Sequence, residues 1–308
     1  MTTGGSAVAI GGGTGLPLVL RCMLRAGLDP TAVVTMADDG GSSGHLRREL
    51  GMLPPGDIRN CLVALADPGS ELAPVFQYRF ASGEGLAGHA IGNLIIAALA
   101  DLEGGFGEAV EAAGRMLGVR GSVVPSTLAD VVLSGWDSAG RRVIGQARVA
   151  ETEGPISQVR LEPRDAPAYG PALDAIHDAD VVVIGPGSLF TSIIPNFLVS
   201  GVTDALRESD ARVVYVCNVA NMRGETQGMD AADHVDALIA HGLEGLIDVA
   251  LVDIPAEPAG RRHVLAGDDQ LSRIRAHGVR VVTADLTDAG DPARHDQDRL
   301  LAALTEVW

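Results

Sequence analysis

The chain contains no lysine: all 23 of its basic residues are arginines. This absence excludes a phosphate-binding loop built around lysine, a Schiff-base lysine and a lysine general base. Any side-chain cation that contacts an anionic ligand must therefore be an arginine, a protonated histidine or a bound metal.

Aromatic residues and cysteines are also scarce. Only 3% of the 308 residues are aromatic while 46% are hydrophobic, so Val, Ile, Leu and Ala must build the core. Cys22, Cys61 and Cys217 lie far apart without C-x-x-C pairing, which argues against a disulfide framework or a structural zinc site. No apolar run approaches about 18 residues, and the N-terminus lacks a signal-peptide pattern. We expect a cytoplasmic protein without membrane insertion.

The formal charge of −17 comes without any block of arginines. Binding of duplex DNA or RNA depends on neutralising phosphates, so no nucleic-acid partner is expected. An anionic membrane surface is disfavoured for the same reason.

Short β-branched runs alternate with segments of helical periodicity, which predicts right-handed βαβ units and a mostly parallel sheet in a single α/β domain over 1–308. The predicted strands are Ala7–Ile10, Ala32–Thr35, Val181–Ile184, Arg212–Cys217, Val249–Ile254 and Val279–Ala284. The predicted helices are Leu16–Ala26, Ile58–Ala66, Ile91–Leu102, Glu108–Leu117, Ala231–His241, Gln270–His277 and Gln297–Val307.

The segment from about 121 to 163 breaks this pattern. Its apolar residues alternate and glycines interrupt them, and Trp136–Gly140 resembles a hairpin turn. We expect a small antiparallel β insertion between the two halves of the sheet.

The first predicted strand leads directly into a glycine turn that contains Gly12, Gly13, Thr14 and Gly15. A helix follows, and its free N–H groups would suit a phosphate. A tight strand–helix turn without a ligand is the alternative. The match to G-x-G-x-x-G is incomplete, because position 16 or 18 holds leucine instead of the third glycine, which weakens a dinucleotide-binding interpretation.

Asp38 and Asp39 follow the second strand and precede a segment rich in glycine and serine, with Ser42 and Ser43 as candidate site-lining residues. Paired carboxylates suit Mg²⁺, and Asp38 is also the candidate catalytic residue if the protein is an enzyme. The alternatives are a ribose-binding acid at Asp38 and a solvated Asp39. The segment also satisfies G-x-S-x-G, but the two aspartates place Ser42 too far along for an esterase.

A second polar segment, Pro54–Asn60, lies shortly beyond. Asp57 is explained as the N-cap of a helix. Arg59 and Asn60 are not explained in this way and are candidate phosphate-binding residues. His89 and Asn93, ahead of a later apolar helix, are further site-lining candidates, although a lone histidine is often simply packed in a core.

The second half contains another strand-to-helix glycine turn, formed by Gly185, Gly187 and Ser188. Two such turns at the carboxyl ends of parallel strands predict a crevice for a ligand. The remaining site candidates of this half are Thr191, Asn218, Glu225, Thr226, Asp233 and His234. A zinc site at His234 and His241 is disfavoured, because no third ligand has suitable spacing.

These motifs together resemble one family over essentially the whole chain. They are Gly11–Gly15, Ala37–Gly44, Leu53–Leu65, Gly185–Asn196, Asn218 with Gly224–Thr226, and Asp233–Val235. The chain resembles the bacterial gluconeogenesis-factor family (the YvcK type), related to the CofD-like 2-phospho-L-lactate transferases of coenzyme F420 synthesis. The resemblance implies a Rossmann-like three-layer fold, a cytoplasmic location, and a role in cell morphology and wall-precursor balance during gluconeogenic growth. It also implies binding of UDP-N-acetylglucosamine without an agreed enzymatic activity.

The chain departs from this family in two places. Ala90 stands where the family has serine, and Pro255–Asp268 contains no aromatic residue for stacking on a base or sugar. Arg294 belongs to an Arg-His-Asp element that resembles the family's C-terminal element, and the resemblance implies that it reaches a nucleotide diphosphate.

Two functions remain open from the sequence. The first is a regulator that binds a nucleotide sugar; the alternative is a Mg²⁺-dependent transferase of a phospho-lactyl or phosphoryl group. Both use the same pocket, with Mg²⁺ as the candidate cofactor and no nicotinamide or flavin expected. A homodimer is left open.

Overall fold

The computed structural model describes residues 4–256, 260 and 262–308. A seven-stranded sheet forms the centre, with every neighbouring pair of strands parallel. A separate three-stranded antiparallel sheet lies between its two halves in the chain. The mostly parallel α/β fold predicted from the sequence is therefore confirmed.

The ten strands are numbered along the chain. They are β1 (Ser6–Gly11), β2 (Asp29–Val34), β3 (Ser122–Pro125), β4 (Val132–Asp137), β5 (Arg142–Ile144), β6 (Ile156–Glu162), β7 (Val181–Ile184), β8 (Arg212–Val216), β9 (Val249–Asp253) and β10 (Arg280–Ala284). The large sheet has the order β10-β9-β8-β7-β1-β2-β3, and the small sheet the order β5-β4-β6.

The helices are numbered in the same way. They are α1 (Leu16–Arg25), α2 (Gly41–Leu50), α3 (Gly56–Leu65), α4 (Leu72–Gln77), α5 (Ile91–Glu103), α6 (Phe106–Leu117), α7 (Gln146–Ala150), α8 (Gly170–His177), α9 (Ile194–Phe197), α10 (Val202–Glu208), α11 (Ala231–Leu238), α12 (Asp268–Ala276) and α13 (Gln297–Thr305). Leu189–Ile193 and Ile239–Leu243 form π-helical turns. No helix in the described ranges is long and apolar enough to cross a bilayer.

The strands at the centre of the sheet are buried on both faces. All four residues of β7 are buried, and so are the last five residues of β1. Runs of Val, Ile and Ala without polar alternation suit this position, because helices cover both faces of a parallel sheet.

The chain order reverses between β1 and β7. β1 pairs with β2 on one side and with β7, far later in the sequence, on the other. In open α/β sheets the connections on the two sides of such a point leave in opposite directions, which opens a crevice at the carboxyl ends of the strands. The fold therefore places the two glycine turns on either side of one crevice.

The structure corrects three boundaries. β3 was expected in the antiparallel insertion, but it pairs in parallel with β2 at the edge of the large sheet. Residues 41–44 belong to none of the predicted helices, yet they begin α2. The helix expected over Ala231–His241 ends at Leu238 and continues as a π-helical turn, in which Gly242 has a φ of +104°. The insertion itself, β4 to β6, forms as expected.

Candidate functional site

A cleft with a volume of about 400 Å³ lies at the carboxyl ends of β1, β7 and β8. Seven residues predicted to bind phosphate or nucleotide line it: Gly13, Thr14, Gly15, Gly187, Ser188, Asn218 and Arg294. Arg21 and His295 also line the cleft, although the sequence analysis did not single them out as site residues. Gly12 and Gly185 belong to the two turns but do not line the cleft.

The first turn depends on the small size of its glycines. A Cβ on Gly15 would lie 2.2 Å from the carbonyl oxygen of Pro186, so the two turns approach each other at backbone distance. Gly13 has a φ of +67°, which favours glycine. α1 then begins at Leu16, and no side chain caps its first N–H groups. Backbone donors at a helix start suit an anionic ligand.

Asn218 holds the second turn in place. Its side-chain oxygen accepts a hydrogen bond from the Gly187 N–H at 3.2 Å, and its amide nitrogen donates to the Gly187 carbonyl at 2.7 Å. Gly185 has a φ of +74° in the same turn. The amide of Asn218 therefore fixes the backbone of the cleft wall that it also lines.

Glu225 supports the chain that follows this turn. Its carboxylate is fully buried and accepts hydrogen bonds from the backbone N–H groups of Phe190 and Thr191 at 2.6 and 3.0 Å. Burial raises the pKa of Glu225 to about 6, although these donors act in the opposite direction. Glu225 and Thr191 are therefore positioned behind the cleft wall, not in the cleft.

Three other candidates from the second half lie outside the cleft. The Thr226 hydroxyl accepts a hydrogen bond from the Met222 N–H at 2.9 Å. Asp233 closes a capping box with Asp230 at the start of α11. His234 is buried on the same helix, with Nδ1 2.8 Å from the Asp230 carbonyl oxygen. These hydrogen bonds stabilise the loop of residues 222–226 and the start of α11.

Asp57 is the residue whose role the sequence analysis missed. The helix cap is at Pro55, and the Asp57 carboxylate instead reaches the first glycine turn, where it accepts the Gly13 N–H at 2.7 Å. Burial, together with the nearby charge of Asp38, raises the pKa of Asp57 to about 6. The N-cap assignment was wrong, because the Asp57 carboxylate accepts its hydrogen bond from the N–H of Gly13, 44 residues away in the sequence.

Asp38 lies beside Asp57. Its Oδ1 accepts the Gly40 N–H at 3.0 Å, and burial raises its pKa. A Cβ on Gly56, next to Asp57, would lie 3.4 Å from the other oxygen of Asp38. The two half-buried carboxyl groups therefore lie close enough for the charge of one to affect the other, and Asp57 contacts the first glycine turn.

Asp39 points elsewhere. Its two oxygens accept hydrogen bonds from the backbone N–H groups of Gln146 and Ala147, at 3.0 and 2.8 Å. Asp39 thus caps α7 and ties the β insertion to the main sheet. In addition to burial, the charge of Asp39 still raises the pKa of Asp38, but the oxygens of Asp39 are engaged at α7. No group of three metal-ligating side chains occurs among the residues that the structure describes.

Most other candidates of the first half form one hydrogen-bonded chain. Ser42 Oγ lies 3.0 Å from His89 Nδ1 and accepts from the Asn93 amide at 3.0 Å. The Arg59 guanidinium donates to the side-chain oxygens of Asn93 and Asn60, at 3.1 and 2.7 Å. Arg59 and Asn60 therefore hold this network and do not line the cleft.

Ser43 joins the two loops that carry the acids. Its hydroxyl accepts the Gly56 N–H at 3.1 Å. The side chain is buried, and its hydrogen bond to Asp38 favours the ionised carboxylate. Ser43 is therefore a positioning residue for the Asp38–Asp57 pair.

Asp57 predicts a specific pH dependence of stability. Because its folded pKa of about 6 exceeds the ordinary 3.8, the group's contribution to stability is complete below about pH 4 and is lost as the pH rises through 6. In metal-free buffer, the free energy of unfolding of the wild type should fall by about 1–3 kcal/mol relative to Asp57→Asn between pH 4 and pH 7. Denaturant titrations across this range measure the difference. Asp101→Asn, an exposed change on α5, serves as the control, and parallel curves for wild type and Asp57→Asn would contradict the assignment.

Comparison with known proteins gives the family. The family model of 2-phospho-L-lactate transferase CofD matches residues 7–287. The gluconeogenesis factor of Bacillus subtilis is 41% identical over 304 residues, covering 96% of each chain. A longer relative from Nostoc sp., also named as a gluconeogenesis factor, is 50% identical over 250 residues, or 81% of this chain and 55% of that protein. A crystal structure from Bacillus halodurans, solved as a member of the UPF0052 family, has a TM-score of 0.92 at 37% identity and covers 99% of this chain and 100% of that one. The chain therefore belongs to the CofD family, among relatives that are named gluconeogenesis factors.

Proposed function

We propose that the cleft binds a nucleotide diphosphate sugar, UDP-N-acetylglucosamine, and that the protein is a cytoplasmic regulator of cell shape and wall-precursor balance during gluconeogenic growth. The observation that carries the proposal is the meeting of two glycine turns across one cleft at the reversal point of the sheet. The names of the relatives support the metabolic setting. In this proposal a change in ligand occupancy, without turnover, is the signal.

The chemistry of the cleft suits a diphosphate. The uncapped start of α1 offers backbone N–H groups, and Arg21 and Arg294 are the two arginines that line the cleft. A volume of about 400 Å³ is within the range of small-molecule sites. Arginine and backbone donors replace the missing lysine.

The half-buried acids Asp38 and Asp57 suit a divalent cation. Mg²⁺ in nucleotide sites is usually held by one or two carboxylates together with ligand phosphates and water. Asp38 and Asp57 provide two carboxyl groups beneath the turn that would hold the phosphates, and a cation there would offset the burial that raises both of their pKa values. When bound, Mg²⁺ would neutralise phosphate charge. Asp57 would meanwhile keep the Gly13 N–H in place.

The second candidate function is transfer of a phosphorus-containing group. The raised pKa of Asp38 beside Asp57 favours it, because a carboxylate with a raised pKa can accept a proton from an attacking hydroxyl. The matching family model is that of a transferase. In this alternative Asp38 would act as the base. A second substrate would have to accept the transferred group and be converted into a product. The two candidates share a cleft and differ in turnover.

The ligand proposal predicts a ranking of thermal stabilisation. UDP-N-acetylglucosamine should raise the melting temperature more than UMP or NAD, because stabilisation grows with affinity and reaches about 2.7 kcal/mol at 100 times Kd. Arg294→Gln should weaken binding about tenfold, through loss of a charge-assisted hydrogen bond to phosphate. Arg207→Gln, an exposed arginine on α10 paired with Asp204, is the matched control and should bind like the wild type. Equal or greater stabilisation by NAD would favour a dinucleotide site instead.

If Asp38 serves a metal or ligand, its substitution should impair function without impairing folding. Asp38→Asn removes a like charge next to Asp57, so the variant should unfold at the same or a slightly higher denaturant concentration. It should nevertheless fail to support a deletion strain on a gluconeogenic carbon source, whereas Asp101→Asn should restore growth. Full rescue by Asp38→Asn would show that the carboxylate has only a structural role.

A further inference from the structure

A second cavity, of about 520 Å³, lies on the β2 side of the same edge of the sheet. It is lined by the start of α2 and by the segment that precedes α5, and it shares no residue with the nucleotide cleft. Its chemically active lining residues are Ser42, His45, Arg79 and His89. The nucleotide proposal uses none of these side chains.

Three of these residues are basic and lie close together. The imidazole rings of His45 and His89 are 5.0 Å apart in an edge-to-face arrangement. Arg79 donates a hydrogen bond to the Gly88 carbonyl, which keeps its side chain at the rim. Burial lowers the pKa of His89, and the nearby positive charges of His45 and Arg79 lower it further.

No carboxylate balances this cluster. Among the described residues, none of the ion pairs includes His45, Arg79 or His89, and no acid lines the cavity. The chain has 40 acidic residues and 23 arginines, so a basic cluster without an acidic partner is unusual here. The lowered pKa keeps His89 neutral near pH 7, so Arg79 supplies the fixed positive charge at this cavity.

Hydrogen-bond donors converge on the same cavity. α2 is ten residues long and starts at the cavity wall. Asp38 accepts the N–H of the N-cap residue Gly40, and no side chain caps the N–H groups of the first turn that follows. Behind the wall, Arg59 is only 4% exposed, and its Nε has no hydrogen-bond partner in the part of the chain that the structure describes. The network from Arg59 through Asn93 ends at Ser42, whose hydroxyl lies at the cavity.

We infer that this cavity is a second anion site, which binds the phosphate group of inorganic phosphate or of a phosphomonoester. Arg79 and His45 would contact its oxygens from the solvent side, and Ser42 with the start of α2 would contact them from the protein side. Because Arg79, His45 and Gly88 are exposed, the cavity stays open to solvent and leaves room for an ester substituent. The inference goes beyond the nucleotide proposal and does not depend on it.

The test measures phosphate binding without any nucleotide. Inorganic phosphate and glycerol 3-phosphate are titrated by calorimetry and thermal shift, with chloride holding the ionic strength constant. The wild type should show saturable binding, and Arg79→Gln and His45→Gln should each weaken it about tenfold. Arg207→Gln is the control and should bind like the wild type. Tighter binding of glycerol 3-phosphate would identify the phosphomonoester as the ligand type, and tighter binding of phosphate would identify the free ion.

Arg294→Gln distinguishes the two sites. If phosphate binds in the second cavity, this change in the nucleotide cleft should leave phosphate affinity unaltered. Loss of phosphate binding in Arg294→Gln with retention in Arg79→Gln would overturn the inference, as would the absence of any effect of phosphate beyond that of chloride. Arg79 is exposed, so Arg79→Gln should keep the wild-type circular dichroism spectrum and melting temperature in chloride buffer.

Discussion

The close approach of two backbone turns is the constraint on which the rest of the site depends. Gly15 and Pro186 are too close for any side chain at position 15, and Asn218 fixes the second turn by hydrogen bonds to both the N–H and the C=O of Gly187. Contact at this distance needs β1 and β7 side by side, which the parallel sheet supplies at its reversal point. A larger residue at position 15 would push the turns apart and change the cleft between them.

Buried carboxylates hold this arrangement from below. Asp57 and Glu225 each accept backbone N–H groups of the segments that carry the two turns, and burial raises the pKa of each to about 6. Burying a carboxylate is unfavourable, and hydrogen bonds from backbone donors offset part of that cost. Asp57 and Glu225 therefore lower the stability of the protein at neutral pH, but they fix both turns in the absence of a ligand. In the proposed function, a cation bound near Asp38 would offset the same cost.

Much of the fold could be predicted from the sequence, because strands buried on both faces read as continuous apolar runs. All six predicted strands form, with ends shifted by at most three residues. β3 was assigned to the wrong sheet because a four-residue edge strand with half-exposed positions resembles part of a hairpin. α2 was missed because glycine and serine are poor helix formers. Glycine at position 44 lets the helix approach the backbone of Asp39, where a Cβ would lie 1.9 Å from the Asp39 carbonyl oxygen.

The site was harder to predict than the fold. Their adjacency in the sequence suggested that Asp38 and Asp39 act together. In the structure the Asp39 carboxylate binds the start of α7, whereas the Asp38 carboxylate lies near Gly56, next to Asp57. The position of Asp57 at a predicted helix start was explained by a role as helix cap. Nothing in the sequence indicated that it contacts Gly13. Such pairings are decided by tertiary packing, which single-sequence patterns do not contain.

The central claim is that the cleft binds a nucleotide sugar and returns it unchanged. Phosphorus NMR of UDP-N-acetylglucosamine, with stoichiometric protein and Mg²⁺, tests binding and turnover in one sample. The account predicts that both diphosphate resonances shift or broaden on addition of protein, and that displacement after long incubation recovers the intact ligand in full. Unperturbed resonances, or new signals from UMP or UDP, would contradict it.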